Sequence, residues 1–322
     1  VRSRGLGDVY KRQVWALVIQ QLLITLLRTI LLWVYGHWYP AVVFSPKSIR
    51  EFLAYSSHLI GTGVLNAVYN NIYPMLIGKG YSTASVGFYT QAHRFQEIPS
   101  SLVATIFRSV AFPVLSTIND EPERMIRIFG KYIRTIFFFI FPVMVLFIVI
   151  AEPLVLVLLS EKWAAAIPFL QRLCIAGAFS PFIILYYDLF NTIGRSDINL
   201  KTEIVKKILL TVGIFFCFGK GIIALIWLWV AYTLASLAAS MWLGQHFTSY
   251  RATRFVRDII PCLLLSVFAG IIAWGVFLSC TSLLGRLIAP LLVFTAVYLL
   301  GTYTARVEIW KEFFKWKTER NK

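Results

Sequence analysis

The amino-acid sequence predicts an all-α polytopic membrane protein with about nine transmembrane helices. Across 322 residues the apolar fraction is 58% and the charged fraction only 14%, which is outside the range of ordinary soluble domains. A spanning helix needs about 20 mostly apolar residues. Stretches that approach this length are 14–35, 56–78, 85–117, 132–159, 165–192, 203–219, 221–247, 258–280 and 284–304. Those at 85–117 and 165–192 also carry polar residues, and such a segment crosses a bilayer only if its polar side faces protein or water.

The lysine and arginine residues between these stretches predict the orientation. One set of alternate connections, together with the C-terminal tail, carries 19 basic residues, whereas the other set carries four. Because basic connections stay in the cytoplasm, we expect a cytoplasmic C-terminus and a first span that runs from outside to inside. The larger set is Lys47, Arg50, Arg124, Arg127, Lys131, Arg134, Arg195, Lys201, Lys206, Lys207, Arg251, Arg254, Arg257, Arg306, Lys311, Lys315, Lys317, Arg320 and Lys322; the smaller is Lys79, Lys162, Lys220 and Arg286.

Composition also excludes some classes of function. The net charge of +16 is carried by connections and termini, so we expect no nucleic-acid partner. The four cysteines lie in or at the end of apolar stretches, without the spacing of a metal site or a disulfide framework. We therefore predict no metal, no cofactor and no catalytic residue. In the tail at 306–322, aromatic residues at helical spacing fit either a helix along the inner leaflet or an ordinary anchoring flank.

Residues 1–13 break the charge pattern. They place four basic residues before a span that enters from the outside, and no small-residue cleavage site of a signal peptide follows. The stretch SRGLGDVYKRQ at 3–13 matches the translation of a transposase adaptor used in sequencing libraries. We expect 1–13 to be such an artefact and the native sequence to start near Val14, with a net charge of +13 once Asp8 and the basic residues are removed.

The third apolar stretch contains a recognisable motif. The run VGFYTQAHRFQEIPSSLVATIFRSVAFPVLSTINDEPERM resembles the pattern G-x-Y-x-x-A-x-x-F-x-x-I-P…P-x-L-S of the polysaccharide-transporter family. These are the Wzx-like oligosaccharide flippases of the MOP (multidrug, oligosaccharidyl-lipid, polysaccharide) superfamily. Further similar stretches lie at 14–23, 70–87, 158–174 and 191–207, so the resemblance covers 14 to about 250. The motifs separate this family from unrelated transporters but do not distinguish one glycan from another.

The resemblance implies a fold of fourteen helices in two six-helix lobes, followed by two extra helices. The nine spans are then equivalent to helices six to fourteen, and the first five helices are missing. Residues 14–49 correspond to the last helix of the N-terminal lobe and the inter-lobe loop, and 50–250 to the C-terminal lobe. The two extra helices fall at 251–305 and a basic cytoplasmic tail at 306–322.

The resemblance also implies a function in the bacterial inner membrane. Such a flippase moves undecaprenyl-diphosphate-linked oligosaccharides, the repeat units of O-antigen, capsule or exopolysaccharide, by alternating access. Its partners are the lipid-linked oligosaccharide, the bilayer, and a glycan polymerase with glycosyltransferases. Two alternatives stay open: another transporter of the superfamily, such as a drug or cation antiporter, and a polytopic glycan polymerase or glycosyltransferase. With five helices of one lobe missing, we expect no transport by residues 14–322 alone.

Charged side chains inside the spans are the first functional candidates, because they are costly in a bilayer unless paired or facing water. Arg94 and Arg108 lie on one helical face with Ser101, and their guanidinium groups suit the phosphates of a glycolipid. Glu97 is a further candidate for the cavity, and Arg94 is alternatively expected to pair with it, three residues away. The other basic candidates are Arg28, which alternatively ties its helix to the lost neighbours, and Arg172, which is expected to extend towards the outer interface.

Polar side chains on two further stretches complete the candidates. Asn66, Asn70 and Asn71 offer amides either to sugar hydroxyls or to neighbouring helices. Asp188 and Asn191 are candidates for binding a coupling ion or proton, although a structural cluster with Arg195 is an alternative. His93 titrates near neutrality in principle, but a packing role beside Arg94 is favoured.

Overall fold

The computed structural model describes the backbone of residues 2–36, 45–118, 121–248 and 250–305. These residues form ten α-helices and two short 3₁₀ helices, and they contain no strand. The helices are α1 (Arg2–Gly36), α2 (Pro46–Gly80), α3 (Thr83–Thr117), α4 (Pro122–Val149), α5 (Ala151–Leu159), α6 (Ile167–Thr192), α7 (Ser196–Cys217), α8 (Ile222–Phe247), α9 (Ala252–Ser279) and α10 (Leu283–Thr304). The expected amphipathic tail at 306–322 lies outside the described residues.

The chain divides into two compact units, Val1–Phe52 and Leu53–Lys322. The first contains α1, a helix with an exposed apolar surface from Val18 to Tyr35. The second contains α3 to α10 and most of α2, and it carries every feature of the candidate site below. The predicted class, an all-α polytopic membrane protein, is confirmed.

Seven helical segments in the described chain are long and apolar enough to cross a membrane. They are Val18–Gly36, Thr83–Leu115, Glu123–Val149, Glu161–Thr192, Ile222–Phe247, Ala252–Ser279 and Leu283–Thr304. The other two expected spans form helices, α2 with 35 residues and α7 with 22, but they do not combine the hydropathy and low charge of the seven. Polar side chains on a spanning helix must face protein or water, and both α2 and α7 contribute to a polar cavity. Nine spans therefore stay a prediction.

The fourth expected span is divided in two. The sequence predicts one helix over 132–159, but the structure ends α4 at Val149 and starts α5 at Ala151. Pro153 explains the break, because its ring has no N–H for the carbonyl of Val149 and clashes with that carbonyl in a continuous helix. The backbone nevertheless continues with little offset, since Ile150 N–H donates to Leu146 O and Leu154 N–H to Ile150 O, each at 2.9 Å.

The core of the second unit is a cluster of aromatic rings between α4, α6 and α9. Phe137 of α4 stacks on Phe182 of α6 with ring centroids 4.0 Å apart, and Phe255 of α9 meets both rings edge-on at 5.7 Å. All three side chains are buried. Edge-to-face and offset-stacked pairs add to the energy of burial, so this cluster helps to fix how α9 packs against α4 and α6.

Helices α3 and α6 approach closely at a glycine. A Cβ added at Gly177 would lie 2.6 Å from Gln96 Cγ, which is closer than real contacts allow. The approach lets Ser100 Oγ donate to the carbonyl of Gly177 at 3.0 Å. Small residues with side-chain hydrogen bonds are typical of packed membrane helices, and here they set the spacing of two cavity walls.

Polar contacts also hold α9 and α10 against other helices of the second unit. Tyr298 of α10 donates from its hydroxyl to the carbonyl of Phe138 at 2.9 Å. Asp258 of α9 accepts from the hydroxyl of Tyr250 at 2.9 Å and lies 3.4 Å from Arg134 of α4. Burial and the nearby Asp258 carboxylate raise the pKa of the Tyr250 hydroxyl, which therefore stays protonated and donating.

Candidate functional site

A cavity of about 490 Å³ lies inside the second unit, lined by α2, α3, α6, α7 and α8. Its volume is in the range of small-molecule sites, about 300–1,000 Å³. Side chains with amide, hydroxyl, carboxylate and ammonium groups line it beside aromatic rings. Helices α2 and α7, which are not among the seven apolar segments, each contribute part of this lining.

One wall of the cavity is polar and largely satisfied by its own hydrogen bonds. Gln96 and Ser100 of α3 are buried, and Gln96 Nε2 donates to Ser100 Oγ at 3.0 Å. Towards the exposed rim of the same helix, His93 Nδ1 lies 3.4 Å from a carboxylate oxygen of Glu97. The inner part of this wall is therefore rigid, while its rim carries an acid and an imidazole.

Another wall of the cavity is aromatic. Trp229 of α8 packs against Tyr73 of α2 and against Tyr232, with ring centroids 5.2 and 5.5 Å apart. Tyr89 of α3 extends this surface and lies 5.8 Å from Tyr73. Tyr73 donates its hydroxyl to the carbonyl of Leu225, so α2 is fixed to α8 at this point. Flat rings beside a few fixed polar groups are the usual composition of a small-molecule site.

Three buried charged residues of α7 complete the cavity. Glu203 is 3% exposed, Lys206 is 5% and Lys207 is 4%. Lys206 Nζ and the hydroxyl of Tyr187 both contact one carboxylate oxygen of Glu203, and Lys207 Nζ lies 3.5 Å from the other oxygen. Charged groups are almost never fully buried unless paired, so this cluster is the strongest functional signal in the described chain.

The sequence interpretation missed this cluster. It assigned Lys206 and Lys207 to a cytoplasmic connection, but both lie inside α7, which begins at Ser196. The spacing of Glu203 to Lys206 and Lys207, three and four residues, is the spacing of helical ion pairs. That spacing was the available signal, but it indicates a solvated helix as readily as a buried one.

The expected pair between Arg94 and Glu97 is wrong. Glu97 contacts His93 instead, and Arg94 is exposed, outside the cavity lining. His93 and Arg94 are adjacent in sequence and so point about 100° apart around the helix. Only His93 is on the side of the cavity. The cavity role predicted for Glu97 stays a prediction that its place in the lining supports.

Arg108 and Asp188 contact each other across α3 and α6. Arg108 Nε lies 3.2 Å from Asp188 Oδ1, yet the alignment is too poor for a hydrogen bond, and that oxygen is buried without a hydrogen-bond partner in the described chain. The Arg108 side chain is 63% exposed and Asp188 is 1% exposed. Neither lines the cavity. Asp188 therefore has a structural partner other than the expected Arg195, and its coupling role stays a prediction.

The asparagine candidates fall into two groups. Asn66 and Asn70 line the cavity, whereas Asn71 donates to the carbonyl of Ala67 on its own helix at 2.7 Å and is exposed. Asn191 accepts a hydrogen bond from Asn199 Nδ2 at 2.9 Å, which links α6 to α7. The structure therefore brings only Asn66 and Asn70 to the cavity.

The remaining basic candidates lie elsewhere. Arg28 is exposed on α1, in the first unit, beside Leu27 and Leu31. Arg172 of α6 donates from Nη1 to the carbonyl of Pro168 at 2.6 Å. Arg172 therefore caps its own helix turn, and a role for Arg28 stays a prediction.

Arg195, expected in a cluster with Asp188, pairs with another residue. Its Nε lies 3.0 Å from Asp197 Oδ1, and its guanidinium lies 4.9 Å from the ring centre of Phe247. The hydrogen bond from Arg195 lowers the pKa of Asp197 to about 2. The expected cluster of Asp188, Asn191 and Arg195 thus does not form: Asp188 contacts Arg108 of α3, whereas Asn191 and Arg195 contact different residues of α7.

Comparisons with known proteins agree with the resemblance seen in the sequence. Residues 9–168 match the family model described as "Polysaccharide biosynthesis protein". The teichuronic acid biosynthesis protein TuaB of Bacillus subtilis (strain 168) is 24% identical over 82% of this chain and 55% of the relative. The lipopolysaccharide biosynthesis protein WzxC of Escherichia coli (strain K12) is 25% identical over 56% of this chain and 37% of the relative. The chain thus spans about half or less of the length of these relatives.

A solved structure shares the fold. The lipid II flippase MurJ in its inward closed conformation superposes with a TM-score of 0.67 over 84% of this chain and 57% of that chain, at 18% identity. This likeness shows a shared fold over the part of the chain that it covers. In the described residues no group of three or more His, Cys, Asp or Glu is placed to hold a metal ion.

Proposed function

The chain belongs, through residues 9–168, to the polysaccharide biosynthesis protein family and is a Wzx-like member of the MOP superfamily, and we propose that the whole protein is a lipid-linked oligosaccharide flippase. It moves a glycan carried on undecaprenyl diphosphate from the cytoplasmic to the outer leaflet of the bacterial inner membrane. The transport proceeds by alternating access between two lobes. The described unit supplies one of these lobes.

The observation that carries this proposal is the cavity. Asn66 and Asn70 of α2 and Glu203, Lys206 and Lys207 of α7 face a polar space inside a unit whose other helices are apolar. Polar groups are expensive in a bilayer, and they mark the path of a polar substrate. A glycan needs such a wet path, whereas its lipid tail stays in the bilayer.

The proposal requires no covalent chemistry. In this mechanism the aromatic wall and the amides of Asn66, Asn70 and Gln96 hold the sugar rings, and the helices move around the bound glycan. The positive-inside pattern supports a cytoplasmic C-terminus, which places the start of α6 near the outer face and its end near the cytoplasm. A polymerase and glycosyltransferases that make and consume the lipid-linked glycan are the proposed partners.

Deletion of the whole gene in its own host tests the proposal. We expect loss of surface polysaccharide and accumulation of lipid-linked oligosaccharide on the cytoplasmic side, both reversed by the intact gene. The purified whole protein, given labelled lipid-linked glycan, should move it between leaflets without extending or transferring it. Normal surface glycan in the deletion strain, or glycosyl transfer by the purified protein, would overturn the proposal.

A further inference from the structure

The buried charges on α7 do not balance. Lys206 and Lys207 share the single carboxylate of Glu203, and all three side chains are almost fully buried. The other charged groups of the cavity, Glu97 and His93, contact each other at the rim of α3 and not this cluster. The inner wall of the cavity therefore holds one more ammonium group than carboxylate groups.

The two lysines differ in how well they are satisfied. Lys206 contacts Glu203 closely and donates to the hydroxyl of Tyr187 at 3.2 Å. Lys207 Nζ lies 3.5 Å from its carboxylate oxygen, which is the long limit of a hydrogen bond. Its other neighbours are the ring faces of Tyr69 and Tyr232, with centroids 5.2 and 5.4 Å away. Ring faces attract a cation but leave donors free in an ammonium that has three.

We propose that Lys207 binds an anionic group, a carboxylate or a phosphate, of the molecule that occupies the cavity. An uncompensated buried charge is costly, and an anion entering from the cavity gives two ammonium groups two negative partners. The site of Lys207 is open to such a ligand because the residue lines the cavity. This inference rests on the proposed function, since it names the substrate class of the same cavity.

Two parts of a lipid-linked glycan carry such a group. One is the carboxylate of an acidic sugar. The aromatic wall of Trp229 and Tyr232 and the amides of Asn66 and Asn70 would contact the ring of that sugar. The other is the diphosphate that links the glycan to its lipid. A lysine is a single point charge that serves either, so the experiment separates them by probe.

The test is calorimetric titration of the whole protein in nanodiscs with three probes: sodium glucuronate, the neutral methyl glucoside, and inorganic pyrophosphate. Lys207→Gln removes the charge and Lys207→Arg keeps it. Lys201→Gln is the matched control, because Lys201 lies on the same helix with a 77% exposed side chain and pairs with Asp197 outside the cavity. Melting temperatures of all variants show that they fold.

We expect Lys207→Gln to weaken binding of at least one anion about tenfold or more, as expected for loss of a charge-assisted hydrogen bond. Lys207→Arg and Lys201→Gln should bind as the wild type does. Loss for glucuronate assigns the site to an acidic sugar, and loss for pyrophosphate alone assigns it to the lipid linker. Equal anion affinity in Lys207→Gln and the wild type would overturn the inference, as would a wild type that binds neither anion more tightly than methyl glucoside. Glycan export by the wild type, measured separately, shows whether the proposed function stands.

Discussion

Replacing Glu203 by Gln tests the charged cluster on α7 directly. The substitution keeps the shape of the side chain but removes the carboxylate that contacts Lys206 and Lys207 among the described residues. Removing one partner of a buried ion pair costs about 3–5 kcal/mol. The contact of Lys206 with Tyr187 and the two ring faces at Lys207 remain, so we expect the lower end, about 3 kcal/mol.

The measurement is the melting temperature of the purified protein in detergent, followed by intrinsic fluorescence. At about 2 °C per kcal/mol for a chain of this size, Glu203→Gln should lower the melting temperature by about 6 °C. Adding Lys206→Met removes one ammonium together with the carboxylate and should recover at least half of that loss. Glu161→Gln, at an exposed residue, is the control and should leave the melting temperature unchanged. A Glu203→Gln protein that melts within about 1 °C of the wild type would refute the reasoning.

Three further predictions concern the same unit and the same melting assay. In a double-mutant cycle of Asp188→Asn with Arg108→Gln, we expect a coupling of about 1 kcal/mol, since one partner is buried and the other exposed; purely additive losses would show that the contact contributes nothing. The wild type should melt at a higher temperature than Asp197→Asn near neutral pH, and this difference should decline as the pH falls from 3.8 to about 2, because the folded-state pKa of Asp197 is depressed. A difference that does not change with pH would contradict this. Gly177→Ala should lower the stability of the protein by about 1–3 kcal/mol through overpacking. Gly275→Ala is the control and should leave the stability unchanged, because an added Cβ there meets nothing within 4 Å. Equal effects of the two substitutions would contradict the close approach of α3 and α6.

The sequence predicted the helices well because their apolar lengths are set by the bilayer. The expected stretches 221–247 and 284–304 became Ile222–Phe247 and Leu283–Thr304. The prediction of one continuous helix over 132–159 failed at Pro153, where the apolar run continues but the backbone hydrogen bonds of the helix are interrupted. The length and hydropathy of a stretch indicate how well its side chains partition into the bilayer, but they do not register the loss of one backbone N–H donor.

The candidate site was only partly predictable. Asn66 and Asn70 were identified because their spacing puts two amides on one helical face, and the structure places both in the cavity. Lys206 and Lys207 were read as marks of the cytoplasmic side, because a sequence does not show where a helix begins relative to the bilayer. Arg108 was expected to face a cavity, but its contact with Asp188 depends on how α3 packs against α6. The spacing of residues within one helix does not show how that helix packs against another.

Site-specific photocrosslinking in the glycan-producing host tests the central claim, that the glycan passes through this cavity. A photoreactive phenylalanine analogue at Thr233, which lines the cavity, is compared with the same analogue at Phe215, whose side chain is 82% exposed and outside the lining. We predict that illumination attaches glycan, detected by mass shift and lectin binding, at Thr233 and not at Phe215. Glycan attached at neither position, in cells that still export it through this protein, would contradict the account.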